Sequence, residues 1–473
     1  MEALYLAENA KKRKGYPMNK VARKIEKFFS TFIPDAFPLS FVLMVVCMTM
    51  AKILTQSSLS EILGITSYGM VSLWSFTIQI VTVMVLGYCV ACAPPVERLL
   101  GKIARSLGEN PIRVIFLTGI ICNIIQYINS NVGMIAAAVI AREVIKNNRH
   151  VRPGIVVAVS YSGMCVHCLG LSPAIFSTVA TAGHAFEEHI GIIPFSETTF
   201  FIPNIIISIV LGIGIPFVMA VVHPKDFVNP LYDPQSETTH LEGEAESVTP
   251  VEDNSDVLEF KRSKFVRFFE DSKIFSWIIG IVLLIGLVFW FKLFDGSLNF
   301  DTITVLLFGL ALVLWGSLER MANCAADGVR SMYAVVISFP IYAAIMKIMT
   351  DTGLASVISN FIVSNSSKDS LPVLSFWAAG FINIFVPSAG GQWVVQAPTL
   401  VSAATALGTS YNKIVTAVAL GDCWTNMIQP FWALPILGIT KVKCREMIAF
   451  TAVICLFEGI AVSLIMAFVY PMF

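Results

Sequence analysis

Apolar runs of about 18 residues or more recur from one end of this 473-residue chain to the other. A run of that length spans the roughly 30 Å hydrocarbon core of a bilayer at about 1.5 Å of helix rise per residue. Nothing else constrains the fold so tightly. In lipid every backbone N–H and C=O must be satisfied internally, which only helices and closed barrels achieve. The composition agrees, with 56% of residues hydrophobic and 14% charged, against about 45–50% and 25% in soluble domains. An all-α polytopic membrane protein is expected. The 32 Lys+Arg balance 32 Asp+Glu, so bulk charge gives no reason to expect a nucleic-acid partner. Most of the ten cysteines lie inside apolar runs and read as packing residues, not as a disulfide framework. The first thirty residues are polar and basic with no short apolar stretch before a cleavage site, so the first apolar segment is expected to stay in the mature protein.

Crossings are expected near 37–54, 69–92, 154–181, 201–222, 274–293, 302–316, 329–349, 413–439 and 447–470. The stretches 112–145 and 372–407 differ, each having a polar middle with Gly or Ser (Asn129 to Gly133, and Pro387 to Gln392). Split there, each arm has about 15 residues, or roughly 22 Å of helix, which is too short to cross and suggests a re-entrant hairpin. Of the 32 Lys+Arg, 27 lie in the amino-terminal tail and in alternate connections such as 94–113 and 317–330. The other five are Lys52, Lys292, Lys347, Lys368 and Lys413, and the connections 55–68 and 182–200 hold none. Cytoplasmic loops carry the basic excess, so the amino terminus is expected inside and the carboxyl terminus outside.

With those sides assigned, the two hairpins open from opposite faces, the mark of an inverted repeat. A weak internal echo supports it: Ile128 to Gly133 lies over Ile382 to Pro387, and Ser172-Pro173 over Gln429-Pro430. The expected organisation is a basic cytoplasmic tail (1–28), a first membrane repeat (29–222, with the hairpin about 112–145 and a discontinuous helix at 154–181) and a polar cytoplasmic linker (223–273). A connecting crossing (274–293) and a second repeat (294–473, with the hairpin about 372–407 and a discontinuous helix at 413–439) complete it. The linker includes a candidate interfacial helix near Phe260 to Phe269.

Interrupted helices are the places in a membrane where unpaired backbone can face a ligand instead of lipid. Four interruptions are expected: the two hairpin tips, Gly170 to Pro173, and Gly421 to Pro430. Their polar side chains are Asn129, Ser130, Asn131, Ser172, Ser388, Gln392, Thr425, Asn426 and Gln429, joined by Asn383, which lies over Asn129 in the echo. Each alone is as readily an interhelical hydrogen bond, worth about 0.6–2 kcal/mol. Their gathering at four matched breaks points to a shared binding site. Gly390 and Gly391, following Ser388, leave N–H groups free at the positive end of the next helix, an anion cradle. No Lys or Arg lies near the centre of these segments. That favours one carboxylate over two, or over a phosphate, which would recruit a guanidinium. Trp393, Phe431 and Trp432 are candidates to meet an apolar tail.

Three ionisable groups remain inside spans: His167, Asp422 and Glu458. Asp422 follows Gly421 at a break and is the candidate for coupling to H⁺ or Na⁺. His167 is a second coupling candidate, or a neutral ring bonded to a carbonyl. Glu458 reads as a structural pair. Cys165 to Cys168 resembles half a metal site, but no second Cys/His pair completes four ligands, so no metal or other cofactor is expected. Neither an acid–base pair with a nucleophile nor a P-loop is present, which argues against an enzyme or a primary pump. The alternatives to a monocarboxylate carrier are a carrier of another small carboxylate, such as a hydroxy acid or dicarboxylate, and an ion-only exchanger that needs Asp422 without the cradle.

The runs Asn383 to Pro398 and Gly421 to Pro435, with Ala141 to Val144, Pro34-Asp35 and Phe339 to Ala343, resemble the bacterial short-chain fatty acid transporter family over nearly the whole chain outside the linker. The resemblance implies a multi-pass protein of the bacterial cytoplasmic (inner) membrane that takes up acids such as acetoacetate or butyrate. It further implies elevator-type alternating access and a homodimer whose protomers each combine a scaffold with a mobile transport domain. The chain departs from the family pattern at Asp422, where Glu is expected, and at Cys165 to Leu169, which replaces a stretch richer in Gly and Trp.

Overall fold

The structure is a computed structural model describing residues 36–224, 227–232, 263–294 and 300–473. The 1–28 tail and most of the 223–273 linker lie outside the described residues. Among the described residues every regular element is helical, as the lipid constraint demands.

The first half contains α1 (Ala36–Leu54), α2 (Leu59–Gly69), α3 (Trp74–Ala91), α4 (Pro94–Ser106), α5 (Pro111–Ile128), α6 (Ser130–Asn147), α7 (Pro153–Tyr161), α8 (Ala174–Val179) and, after a single turn at Glu187–Ile190, α9 (Ile202–Val222). Next come α10 (Lys264–Asp271) and α11 (Lys273–Leu293). The second half contains α12 (Phe300–Trp315), α13 (Leu318–Ser331), α14 (Tyr333–Asp351), α15 (Leu354–Val363), α16 (Leu371–Asn383), α17 (Ala389–Leu407), α18 (Tyr411–Trp424), α19 (Leu434–Thr440) and α20 (Cys444–Phe468). Local chemistry sets many of the starts. Proline opens α4, α5 and α7 in the first turn, where its missing N–H leaves no bond unmade. Ser58 and Glu61 cap α2 reciprocally.

Among the described residues, six helical segments are long and apolar enough to cross a membrane, or eight if the bent pairs α3–α4 (75°) and α14–α15 (62°) each form one span. Of the apolar windows in α1 and α11, only 17% is buried within the protein, whereas 89% is buried in Pro153–Val179. The outer helices therefore present their side chains to lipid and the interrupted segment forms the core. Helices α1 and α2 pack on α14, and α12 and α13 pack on α3. The pairs α5–α6 and α16–α17 pack around α7 and α18, with α9 and α20 closing the outside.

Several connections read as loops are helical: α2, α4 and α13 lie within 55–68 (ending at Gly69), 94–113 and 317–330 (ending at Ser331), and α15 extends the span that starts near 329. α4 carries Glu97, Arg98, Lys102 and Arg105 among its apolar residues. Such a helix is amphipathic and escapes a search for apolar windows. The hairpin arms also differ from expectation. α5 and α6 have 18 residues each, about 27 Å, and are joined by Asn129 alone, while α16 has 13 and α17 has 19. Shortness therefore does not define the first hairpin; the one-residue reversal does.

Polar pairs join these hairpins to the bent helices. Glu97 on α4 accepts from Arg142 (3.4 Å) and Lys146 (2.9 Å) on α6. The Arg142 guanidinium also lies 5.7 Å from the centre of the Tyr88 ring. On the other side, Gln396 of α17 donates to the Ser359 hydroxyl of α15 (3.1 Å).

Glycine permits the closest approaches in the core. A Cβ on Gly170 would be driven into the Tyr127 carbonyl, and one on Gly421 into the backbone of Phe376 and Gly380. Gly170→Ala should lower the thermal unfolding temperature of the purified protein, corresponding to about 1–3 kcal/mol for overpacking against backbone. Gly212→Ala, whose Cβ meets open space, should leave stability unchanged or raise it. Equal melting temperatures for the two variants would contradict this packing.

Candidate functional site

Both interrupted segments stop being α-helical for sequence reasons. α7 gives way to two 3₁₀ turns, Ser162–Cys165 and His167–Leu169, then to extended Gly170 and Pro173 before α8. α18 passes into the turn Thr425–Met427, and Pro430 and Pro435 precede or open α19. Proline removes a donor and 3₁₀ turns bond poorly, so each break leaves backbone groups to be satisfied from elsewhere.

The hairpin tips supply part of that satisfaction. Ser172 at the first break accepts from the Ser130 N–H at the first tip (3.2 Å), and the Leu171 N–H donates to the Tyr127 carbonyl (2.8 Å). At the second, the Trp432 indole donates to the Pro387 carbonyl (3.1 Å). Asn383 donates to Thr425 (3.0 Å) and to the Asn426 carbonyl oxygen of the side chain (2.9 Å), and Thr425 donates to the Gly380 carbonyl (2.7 Å). The Tyr161 hydroxyl donates to the Asn426 backbone carbonyl (3.2 Å) and ties the two breaks together.

A cavity of about 410 Å³ lies where the four interruptions meet. Of the residues expected at a site, Ser130, His167, Ser172, Ser388, Gly390, Asp422 and Asn426 line it. The others have different surroundings. Asn129 ends α5 and is half-buried. Thr425 and the N–H₂ group of Asn383 are consumed by the bonds above, and neither residue lines the cavity. Gln392 donates to the Ala379 carbonyl (2.7 Å) and to Gln396 (3.0 Å). Gln429 accepts from the Phe431 N–H (2.8 Å). A Cβ on Gly391 would face its own cap, Ser388, whereas one on Gly390 would meet open space, so Gly390 and not Gly391 is the position of free backbone approach. The side chain of Asn131 lies outside the described residues.

The aromatic expectation narrows in the same way. Only Trp432 lines the cavity; Trp393 packs edge-on to Phe186 and Phe431 stacks on Phe339. The apolar wall is completed by Met134, Met164 and Ile175, none of which was singled out from sequence. Met134 carried a usable signal, since it follows Ser130 by one helical turn and so shares its face.

The cavity has a definite electrostatic character. Neither Lys nor Arg lines it. Ser388 caps α17 by accepting from the Gly391 N–H (3.4 Å), and the two residues before Gly391, Ala389 and Gly390, line the cavity at the positive end of the helix. The Asn426 side-chain N–H₂, buried, has no partner, and neither has Asp422 Oδ1. Asp422 Oδ2 accepts from the Cys423 thiol (4.0 Å). His167 Nδ1 lies 2.9 Å from the Met164 carbonyl, which places the ring proton there and leaves Nε2 as an acceptor. The residues that carry an unpaired amide donor and an unpaired carboxylate oxygen thus line one space, an arrangement suited to an anion and a cation together.

On a background without native cysteines, Ser130→Cys and Ser388→Cys should react with a small membrane-permeant maleimide. Asn383→Cys, on a fully buried residue, should react only after unfolding. Equal reactivity at all three positions would contradict the placement of the cavity.

Among solved structures, the Alcanivorax borkumensis YdaH transporter aligns with 93% of this chain and 99% of its own at 15% identity, with a TM-score of 0.36. The Escherichia coli (strain K12) protein named "Putative short-chain fatty acid transporter" is 28% identical over 445 residues, covering 94% of this chain and 98% of that protein. A Haemophilus influenzae protein of the same name is 29% identical over 451 residues, covering 93% and 98%. The sequence profile described as short chain fatty acid transporter matches residues 17–469. The chain belongs to the short-chain fatty acid transporter family, whose members are transporters and not enzymes.

Proposed function

We propose that this protein is a secondary active transporter that takes up a short-chain monocarboxylate, of the acetoacetate or butyrate kind, across the bacterial cytoplasmic membrane with H⁺ or Na⁺. The observation that carries the proposal is the pairing, in one cavity, of anion donors without a guanidinium and a buried carboxylate with no cation among the lining residues. The substrate carboxylate is received by the Ala389 and Gly390 N–H groups, the Asn426 amide and the hydroxyls of Ser130, Ser172 and Ser388. Met134, Met164, Ile175 and Trp432 form the wall for its tail. Asp422 carries the coupled cation, and His167 completes the polar lining. A second substrate carboxylate would meet no compensating cation there, which disfavours a dicarboxylate.

We further propose that the halves are an inverted repeat with the amino terminus cytoplasmic. The support is that α2 and α13 start 259 residues apart, as do α3 and α14, and the same order follows in both: bent helix, hairpin, broken helix, closing helix. α11 is the odd crossing that would turn the second half over, and the basic residues of the alternate connections set the side. Alternating access is then movement of the hairpins and broken helices past the bent pairs α3–α4 and α14–α15. The Glu97 pairs and the Gln396–Ser359 bond sit on the surfaces that slide. Assembly as a homodimer follows from the family resemblance.

Uptake of radiolabelled butyrate and acetoacetate into proteoliposomes, with pH and Na⁺ gradients imposed separately, tests the reading. Asn426→Ala should weaken substrate binding by about ten- to a hundred-fold, the equivalent of roughly 1.5–3 kcal/mol for a bond to a charged ligand, and Gly390→Val should abolish transport. Asp422→Asn should fold and insert yet fail to concentrate substrate. Counterflow surviving in Asp422→Asn favours H⁺, because the amide mimics the protonated acid; its loss favours Na⁺. Succinate uptake without butyrate uptake, or concentrative uptake by Asp422→Asn equal to the unaltered protein, would overturn the reading.

A further inference from the structure

Glu458, on α20, is a second buried carboxyl that the function above does not use. It is completely buried, and the pair that the sequence suggests for it is the Cys165 thiol, a weak donor that carries no compensating charge. Its helix packs on both breaks, the turn Ser162–Cys165 and the turn Thr425–Met427. The contact is fixed by the Trp424 indole, which donates to the Cys455 carbonyl (2.7 Å) and lies against Gly459. The titratable groups that face Glu458 are thiols: Cys165 on the first break, Cys423 on α18 and Cys455 one turn back on α20. An ionised carboxylate in such surroundings is not tolerated alone, and no ammonium or guanidinium is at hand to neutralise it.

We propose that Glu458 is a second monovalent-cation site, loaded together with Asp422, so that each monocarboxylate crosses with two cations and one net positive charge. This rests on the reading of Asp422 as the first such group. At Glu458 the cation is H⁺, which supplies the single positive charge the carboxylate lacks, because the thiols around it are not the oxygen ligands that Na⁺ takes. Glu458 does not line the cavity, so it acts on coupling and not on recognition of the substrate.

The test is accumulation of radiolabelled butyrate in proteoliposomes under a potassium–valinomycin potential, with pH and Na⁺ gradients held at zero or applied singly. For the unaltered protein, accumulation at steady state should change about tenfold for each ~59 mV, inside negative, as one net charge requires. Glu458→Gln should show no dependence on potential while counterflow exchange persists, and Glu458→Asp should retain the dependence. A second-power response of accumulation to the pH gradient identifies both cations as H⁺, a first-power response to each of the pH and Na⁺ gradients identifies H⁺ at Glu458 with Na⁺ at Asp422, and a second-power response to Na⁺ alone would overturn the proton site. A potential-independent unaltered protein, or an unchanged slope in Glu458→Gln, would overturn the proposal. If Glu458→Gln does not assemble, the unaltered protein decides: a slope of one charge supports the second site and a slope of zero overturns it. Failure of the first reading looks different, because then no butyrate accumulates under any gradient, or Asp422→Asn concentrates it normally.

Discussion

In lipid there is no water to complete an unmade backbone hydrogen bond, and this constraint organises the rest of the molecule. Long helices such as α1, α9 and α11 meet it inside their own segment and can face the bilayer. The segments around Gly170–Pro173 and Thr425–Pro430 cannot, so they are held in the centre. Breaks and hairpin tips complete one another: the Leu171 N–H donates to the Tyr127 carbonyl, while the Ser172 hydroxyl accepts from the Ser130 N–H and the Trp432 indole donates to the Pro387 carbonyl. Glycines at 170 and 421 make these approaches possible. After that accounting, a set of buried polar side-chain atoms has no partner among the described residues, and two of them, Asp422 Oδ1 and Asn426 Nδ2, belong to residues that line one cavity.

The distribution of charge follows the same logic. Basic side chains are kept where another group compensates them, as with Arg142 and Lys146 around Glu97 and Tyr88 at the edge of the first hairpin. The cavity itself offers oriented backbone dipoles, hydroxyls and an amide. Such donors hold a single carboxylate without the desolvation cost of a buried guanidinium, and they leave Asp422 free of a competing cation. On the proposed function, selectivity for a monoanion and a need for a coupled cation both follow from one feature, the lack of Lys and Arg among the lining residues.

Much of the fold is legible in the sequence because its strongest signals are local. Apolar length marks the lipid-facing helices, and proline and glycine mark the breaks at Pro173 and Pro430. The amphipathic helices were less visible to a search for apolar windows, although Ser58 and Glu61 announce α2 and the spacing of charges in Pro94–Ser106 announces α4. For the site, the sequence indicates which polar residues gather at the interruptions but not which way each one points. Asn383 and Asn426 have the same chemistry and sit in equally suggestive motifs. Asn383 spends its N–H₂ group on Thr425 and Asn426, while the N–H₂ of Asn426 is left unpaired beside the cavity. Within 3₁₀ turns and hairpin tips no helical period fixes direction, so only tertiary packing separates a binding group from a structural one. Met134, Met164 and Ile175 were missed because apolar residues in apolar helices carry no distinguishing mark.

The central claim is that the space between the two tips and the two breaks receives the substrate carboxylate. An experimental structure of the protein in lipid nanodiscs with a heavy-atom-labelled short-chain acid, such as a bromobutyrate, tests it most directly. The expected result is a bromine signal against Met134, Met164 and Trp432, with the carboxylate at the Ala389 and Gly390 N–H groups beside Asn426. Well-ordered ligand at any other position, with this cavity empty, would contradict the account.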